Sequence, residues 1–177
     1  MKKILIFIAI FMIIYVVIND KKDYYIIPDD AIRFRIVANS NSVYDQYIKN
    51  KVKDNLESSF LEDIDSFNTI EETRTVINNN VDKYKKIVSS VFEEENYNKD
   101  FDINYGMNYF PEKIYKEVKY KEGNYESLLV TIGEGKGDNF WCLLFPPICT
   151  LEVEEKEDVE YKFFIKEVFD KYILNNN

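Results

Sequence analysis

The chain has 177 residues, 46% of them hydrophobic and 31% charged, which suits one globular domain with a sizeable core plus an appendage. A formal charge of −9 and a pI near 4.7 exclude a nucleic-acid binder, because neutralising phosphates needs a basic face. Histidine is absent, and with it catalytic triads and histidine–zinc sites.

Lys2-Lys3 precede fifteen unbroken apolar residues, Ile4 to Ile18, followed by Asn19, Asp20, Lys21 and Lys22. A basic start and an apolar run of this length read as an export signal, and the run is short for a bilayer span of roughly 20 residues. Small residues at a cleavage site are missing, so residues 1–22 are expected to be a signal peptide or an uncleaved N-terminal membrane anchor. Residues 23–30 read as a tether.

Ala31 to Ala38 reads as a strand, with Ile32, Phe34 and Ile36 on one face and Arg33 and Arg35 on the other. Asn39-Ser40-Asn41-Ser42 is a polar turn, and Ser42 can cap a helix with Asp45 in its first turn. That helix is expected from about Val43 to Phe60, with Ile48, Val52, Leu56 and Phe60 on its apolar face. Thr69 and Glu72 have capping-box spacing for a second helix from about Ile70 to Glu94. Phe101 to Tyr109 alternates cleanly and predicts a strand. Ile114 to Tyr120 predicts a short strand, Glu122-Gly123-Asn124 a hairpin turn, and Tyr125 to Ile132 a third strand. Gly133 to Gly137 reads as a hairpin loop feeding a strand from Phe140 to Phe145. An acidic run then leads to an appended helix over about Val159 to Leu174, which Val159, Phe163, Phe164, Phe169 and Ile173 could hold. The expected fold is α+β: one strand, two helices, then an antiparallel meander, with the helices on one face of the sheet and a C-terminal helix appended. The domain would span residues 31–150 and the linker plus helix 151–177.

The stretch Gly133 to Cys149, GEGKGDNFWCLLFPPIC, holds the sole tryptophan, both cysteines and three of the five glycines. A phosphate-loop reading fails because Gly137 follows Lys136 where Ser or Thr is needed, and a strand comes next. The acidic clusters lack calcium-loop order, and two cysteines are too few for structural zinc, so no metal or cofactor is expected. Cys142 and Cys149 are either a disulfide, if the domain is exported, or two buried thiols. Trp141, Phe145, Pro146 and Pro147 suit a recognition surface as well as a core strand and its turn. The alternative is an envelope hydrolase acting on peptidoglycan through a carboxylate pair, and it is weakened because no pair is singled out.

Three blocks resemble the stage II sporulation protein R family of endospore-forming bacteria. They are IRFRIVANSNSVYDQ from Ile32, continuing to Lys49 and Val52; FPEKIY from Phe110; and Gly123-Asn124-Tyr125 followed by IGEGKGDNFWCLLFPPIC from Ile132. The chain departs from the family pattern at Phe140, where a double tryptophan is usual, and at Lys116, where glycine is usual. The resemblance implies a non-enzymatic sporulation signal exported from the forespore into the space between two membranes. There it would act on the extracytoplasmic part of a membrane-embedded aspartic protease, which matures the sigma factor E precursor. No catalytic residue and no small-molecule substrate are implied. The expected contact set is Arg33, Arg35, Asn39, Asn41, Asp45, Gln46, Phe110, Lys113, Tyr115, Asn139, Trp141, Phe145 and Pro146.

Overall fold

The computed structural model describes residues 11–12, 24–115, 118–150 and 158–174. The expected export segment at residues 1–22 lies outside them, apart from Phe11 and Met12, as does most of the acidic linker. Among the described residues no helix is long and apolar enough to cross a membrane.

In chain order the elements are β1 (Tyr25–Ile26), β2 (Ile32–Val37), α1 (Val43–Glu62), α2 (Ile70–Glu94), β3 (Phe101–Phe110), β4 (Lys113–Tyr115), β5 (Val118–Tyr120), β6 (Gly123–Ile132), β7 (Asn139–Phe145) and α3 (Asp158–Phe169). Both long helices start where side chains cap them. Ser42 accepts the Asp45 N–H at 3.1 Å and Thr69 accepts the Glu72 N–H at 3.2 Å.

The larger sheet has the order β3-β6-β2-β7. β2 sits inside it, parallel to β6 and antiparallel to β7. One face carries Phe34, Ile36, Leu128, Val130 and Ile132, all fully buried against Ile48, Val52, Leu56 and Phe60 of α1 and Ile77, Tyr84 and Val88 of α2. This is the α+β class with the helices on one face, driven by burial of the two apolar helix stripes.

The connectivity departs from a simple meander. β3 pairs directly with β6 over ten residues, from Phe101↔Ile132 to Phe110↔Gly123. The stretch expected as one strand at 114–120 is two antiparallel strands, β4 and β5, inserted between the partners. The expected turn at Gly123 is therefore the first residue of β6. β1, within the expected tether, pairs with β5 and completes a second sheet, β1-β5-β4. The glycine-rich segment is likewise no hairpin loop, because β2 lies between β6 and β7. A strand apolar on one face and covered on the other is best placed centrally, and the chain reaches its far side by passing over its end.

The second sheet and α3 form a smaller core on the opposite face of the large sheet. Ile27, Ala31, Val118, Tyr120, Leu143, Ile148, Ile165, Val168 and Phe169 are buried there. The C-terminal helix is thus part of the domain's packing. Phe169 is buried and Phe164 partly so, but Phe163 is 63% exposed; the side chains of Val159 and Ile173 lie outside the description.

Candidate functional site

Alternation along β2 sends Arg33 and Arg35 to the face turned away from α1 and α2. Register across the sheet sets Leu143 and Ser127 beside Arg33, and Trp141 and Leu129 beside Arg35. Phe110 reaches the same face from the end of β3, and Tyr125 from β6. The Arg33 guanidinium carbon is 3.3 Å from the Tyr125 ring centroid, 5.3 Å from that of Phe110 and 5.8 Å from that of Tyr120. Arg35 lies 4.8 Å from the Trp141 ring and 5.6 Å from Phe110. Phe110 meets Trp141 edge-on, with centroids 5.2 Å apart, so the two arginines and four rings form one continuous array.

The electrostatics of this array are unusual. Arg33 is 1% exposed, because β5 and its neighbours cover a position that sequence alternation alone would leave wet. Among the described residues, all three of its side-chain nitrogens are buried without a hydrogen-bond partner, as is Nε of Arg35. Arg35 donates one bond, from Nη1 to the Tyr109 carbonyl at 3.3 Å. Burial lowers the pKa of both guanidinium groups; at Arg33 it is opposed by Tyr125, Tyr120 and Asp29. Arginine stays charged under such pressure, so the face holds two cations. Asn139, at the start of β7 on the same face as Trp141, also has a buried and unpaired Oδ1.

Other residues of the expected contact set go elsewhere. Asn39, Asn41, Asp45 and Gln46 cluster where β2 passes into α1, and their polar atoms serve that junction. Asn39 Oδ1 accepts the Glu134 N–H and Asn41 Oδ1 the Asp138 N–H, while Lys136 and Gly137 donate to the Asn39 and Ala38 carbonyls. The segment 133–138 is thereby laid across the end of β2. Asp45 accepts from Ser40, Asn39 and Tyr97, and these bonds, Ser40's foremost, hold its carboxyl at about 2 against the opposing effect of burial. Gln46 donates to the Ser40 carbonyl and accepts from the buried Lys49. Lys113 and Tyr115 are exposed on β4, the edge of the small sheet. Phe145 and Pro146 are buried, the former in the helix-side core against Tyr172, and the peptide bond between them is cis.

The carboxylate of Glu126 is held by Arg74 at 2.9–3.1 Å and by the Tyr105 hydroxyl at 2.5 Å. Burial opposes its charge, but the Arg74 and Tyr105 hydrogen bonds keep its pKa below the usual range. Cys142 and Cys149 are joined by a disulfide, with Cα atoms 5.6 Å apart, which ties β7 to the turn after it.

Tyr120 and Tyr125 complete the array and were not among the expected contacts. The alternation of β6 contains the signal for Tyr125: with Leu128, Val130 and Ile132 turned to the helices, Tyr125, Ser127 and Leu129 must face the arginines. Tyr120 has no such signal, because its strand joins a different sheet.

No solved structure matches this chain. Among curated proteins it is similar to the stage II sporulation protein R of Bacillus subtilis (strain 168), with 38% identity over 141 residues that take in 76% of this chain. The chain spans 63% of that relative's length. The family model for stage II sporulation protein R matches residues 28–155, which start just after β1, run past both cysteines and include the whole arginine–aromatic array. The chain belongs to the stage II sporulation protein R family.

Proposed function

We propose that this chain is an exported sporulation signal, not an enzyme, and that it binds the extracytoplasmic part of a membrane-embedded aspartic protease. Binding switches the protease on, and the protease then matures the sigma factor E precursor in the mother cell. The N-terminal apolar run delivers the domain across the forespore membrane or holds it there. Family membership supports the sporulation role. The observation that carries the binding role is the outer face of the large sheet, where Arg35 and Trp141 are half-buried and, among the described residues, the Arg33 guanidinium, Arg35 Nε and Asn139 Oδ1 have no hydrogen-bond partner. Unsatisfied polar groups beside aromatic rings are what a recognition surface presents before its partner arrives.

Two of the described carboxylates point the same way. Asp45 and Glu126 are each held ionised by several hydrogen bonds, which suits structural anchors and not a general acid.

Co-expression of this chain with the protease and the sigma precursor, outside a sporulating cell, tests the reading. Processing should depend on this chain. A Trp141→Ala protein with a native melting profile should lose most of it, and full processing by that variant would remove the outer face from the contact.

A further inference from the structure

We infer that the outer face of the large sheet is a carboxylate receptor: Arg35, flanked by Trp141 and backed by Arg33, takes an acidic side chain of a protein segment. The inference rests on the partner-binding reading above and specifies the partner's chemistry.

The chain has three arginines, and they behave in two ways. Arg74 shows the ordinary one: its guanidinium bonds Glu126 through two nitrogens and Glu71 through a third. Arg33 and Arg35, two residues apart on one strand face, have no carboxylate within ion-pair distance among the described residues. Arg33 is 1% exposed, so bulk solvent does not reach it. A charged group buried without an acceptor is costly and is seldom kept without a use.

The two cations reinforce each other at the surface. Their guanidinium carbons lie 5.3 and 5.6 Å from the same Phe110 ring, so an anion at Arg35 also feels the charge behind it. Aromatic walls reduce the screening that would weaken such a pair in open water. Arg35 can present its planar fork to both oxygens of a carboxylate, a geometry that a backbone carbonyl cannot match. Arg33 does not need to touch the ligand; it holds the field.

The flanking rings decide between kinds of anion. Half-buried Arg35 sits 4.8 Å from the Trp141 ring and 5.6 Å from the Phe110 ring, so an anion reaches it best on a narrow apolar stem. A Glu or Asp side chain is such a stem, and a phosphodiester, substituted on two oxygens, is not. The occupant is therefore a protein segment carrying Asp or Glu.

Trp141 is the sole tryptophan and lies against Arg35, so its fluorescence reports the site directly. The purified chain is titrated with a short blocked glutamate peptide and with its glutamine counterpart. The glutamate peptide should give a saturable change that weakens as salt is added, and the glutamine peptide should give none. Arg35→Gln, with its melting profile unchanged, should weaken the response about tenfold or more, with Arg35→Lys in between, since a charged hydrogen bond of this kind exceeds a neutral one by that order. Equal responses to the two peptides, or an undiminished response in Arg35→Gln, would overturn the proposal. So would a stronger response to phosphatidylglycerol vesicles than to the peptide. A shift of Trp141 fluorescence on neutralising Glu152, Glu154 and Glu155 without any peptide would mean that the chain fills its own site, and would overturn it too. The sigma-processing assay is read separately. If processing fails while the peptide response stands, the protease is the wrong partner and the receptor chemistry survives.

Discussion

Arg33 lies over Tyr125, its guanidinium carbon 3.3 Å from the ring centroid, and no nitrogen of that guanidinium has a hydrogen-bond acceptor among the described residues. A desolvated cation–π contact is worth about 2 kcal/mol, whereas the effective desolvation penalty of a buried ion is several kcal/mol. The penalty wins. Arg33→Met, which keeps much of the volume and drops the charge, should stabilise the domain by about 1–3 kcal/mol in urea unfolding. A loss of stability would show that the rings compensate the charge fully, and that its retention needs no functional explanation.

The junction of β2 and α1 depends on the ionised form of Asp45. Its folded-state value of about 2 lies below its ordinary value of 3.8, so the unfolded chain takes up the proton first as pH falls. The stabilisation is therefore complete above about pH 5 and is lost as pH drops through 4 towards 2. It is on the order of 2 kcal/mol at neutral pH. Asp45→Asn should lose a similar amount at pH 7 and flatten the acid limb of the pH–stability curve. A variant with an unchanged acid limb would assign that limb to other carboxyls.

Gly137 is required by a close approach and not by its backbone angles. A Cβ there would overlap the Ser40 carbonyl, and the Gly137 N–H donates to Ala38 at 2.8 Å. At Gly133 the φ of +54° adds backbone strain to an overlap with the Asn39 side chain. Gly133→Ala should cost about 1–3 kcal/mol, combining the strain with the displaced Asn39. Thermal melts of the two alanine variants would check this, and a neutral Gly133→Ala would mean that Asn39 is free to turn aside.

The disulfide closes a short loop, from Cys142 to Cys149. Loop-closure entropy for so few residues gives about 2 kcal/mol. Reductant, or the double change Cys142→Ser and Cys149→Ser, should lower stability by that order without unfolding the domain, because Leu143, Leu144 and Phe145 between them are buried by packing. Complete unfolding on reduction would show that the turn after β7 is held by the disulfide alone.

Much of the architecture was legible in local pattern. The four-residue spacing of Ile48, Val52, Leu56 and Phe60 located α1, and the caps at Ser42 and Thr69 located the starts of both helices, because caps and stripes are short-range signals. The insertion of β4 and β5 between β3 and β6 was not legible. Residues 114–120 look the same whether they continue a meander or fold back on themselves, and only pairing with Tyr25 and Ile26 separates the two. The polar residues from Asn39 to Gln46 show the same limit: their types suit recognition or loop anchoring, and the partners that distinguish these lie about a hundred residues away, at Glu134 and Asp138.

The sequence determined the placement of Arg33, Arg35 and Trp141 on strands, the two arginines opposite an apolar face, since side-chain alternation is a property of the extended backbone. It also excluded histidine chemistry outright. Tertiary structure decided that the face would be roofed at Arg33 and half-open at Arg35, that Tyr120 and Tyr125 would stack against the buried cation, and that no carboxylate of the described residues would pair with it. The physical reason is that burial and ion pairing are properties of what lies across the gap, and across this gap lie segments of another sheet and a C-terminal helix remote in the chain.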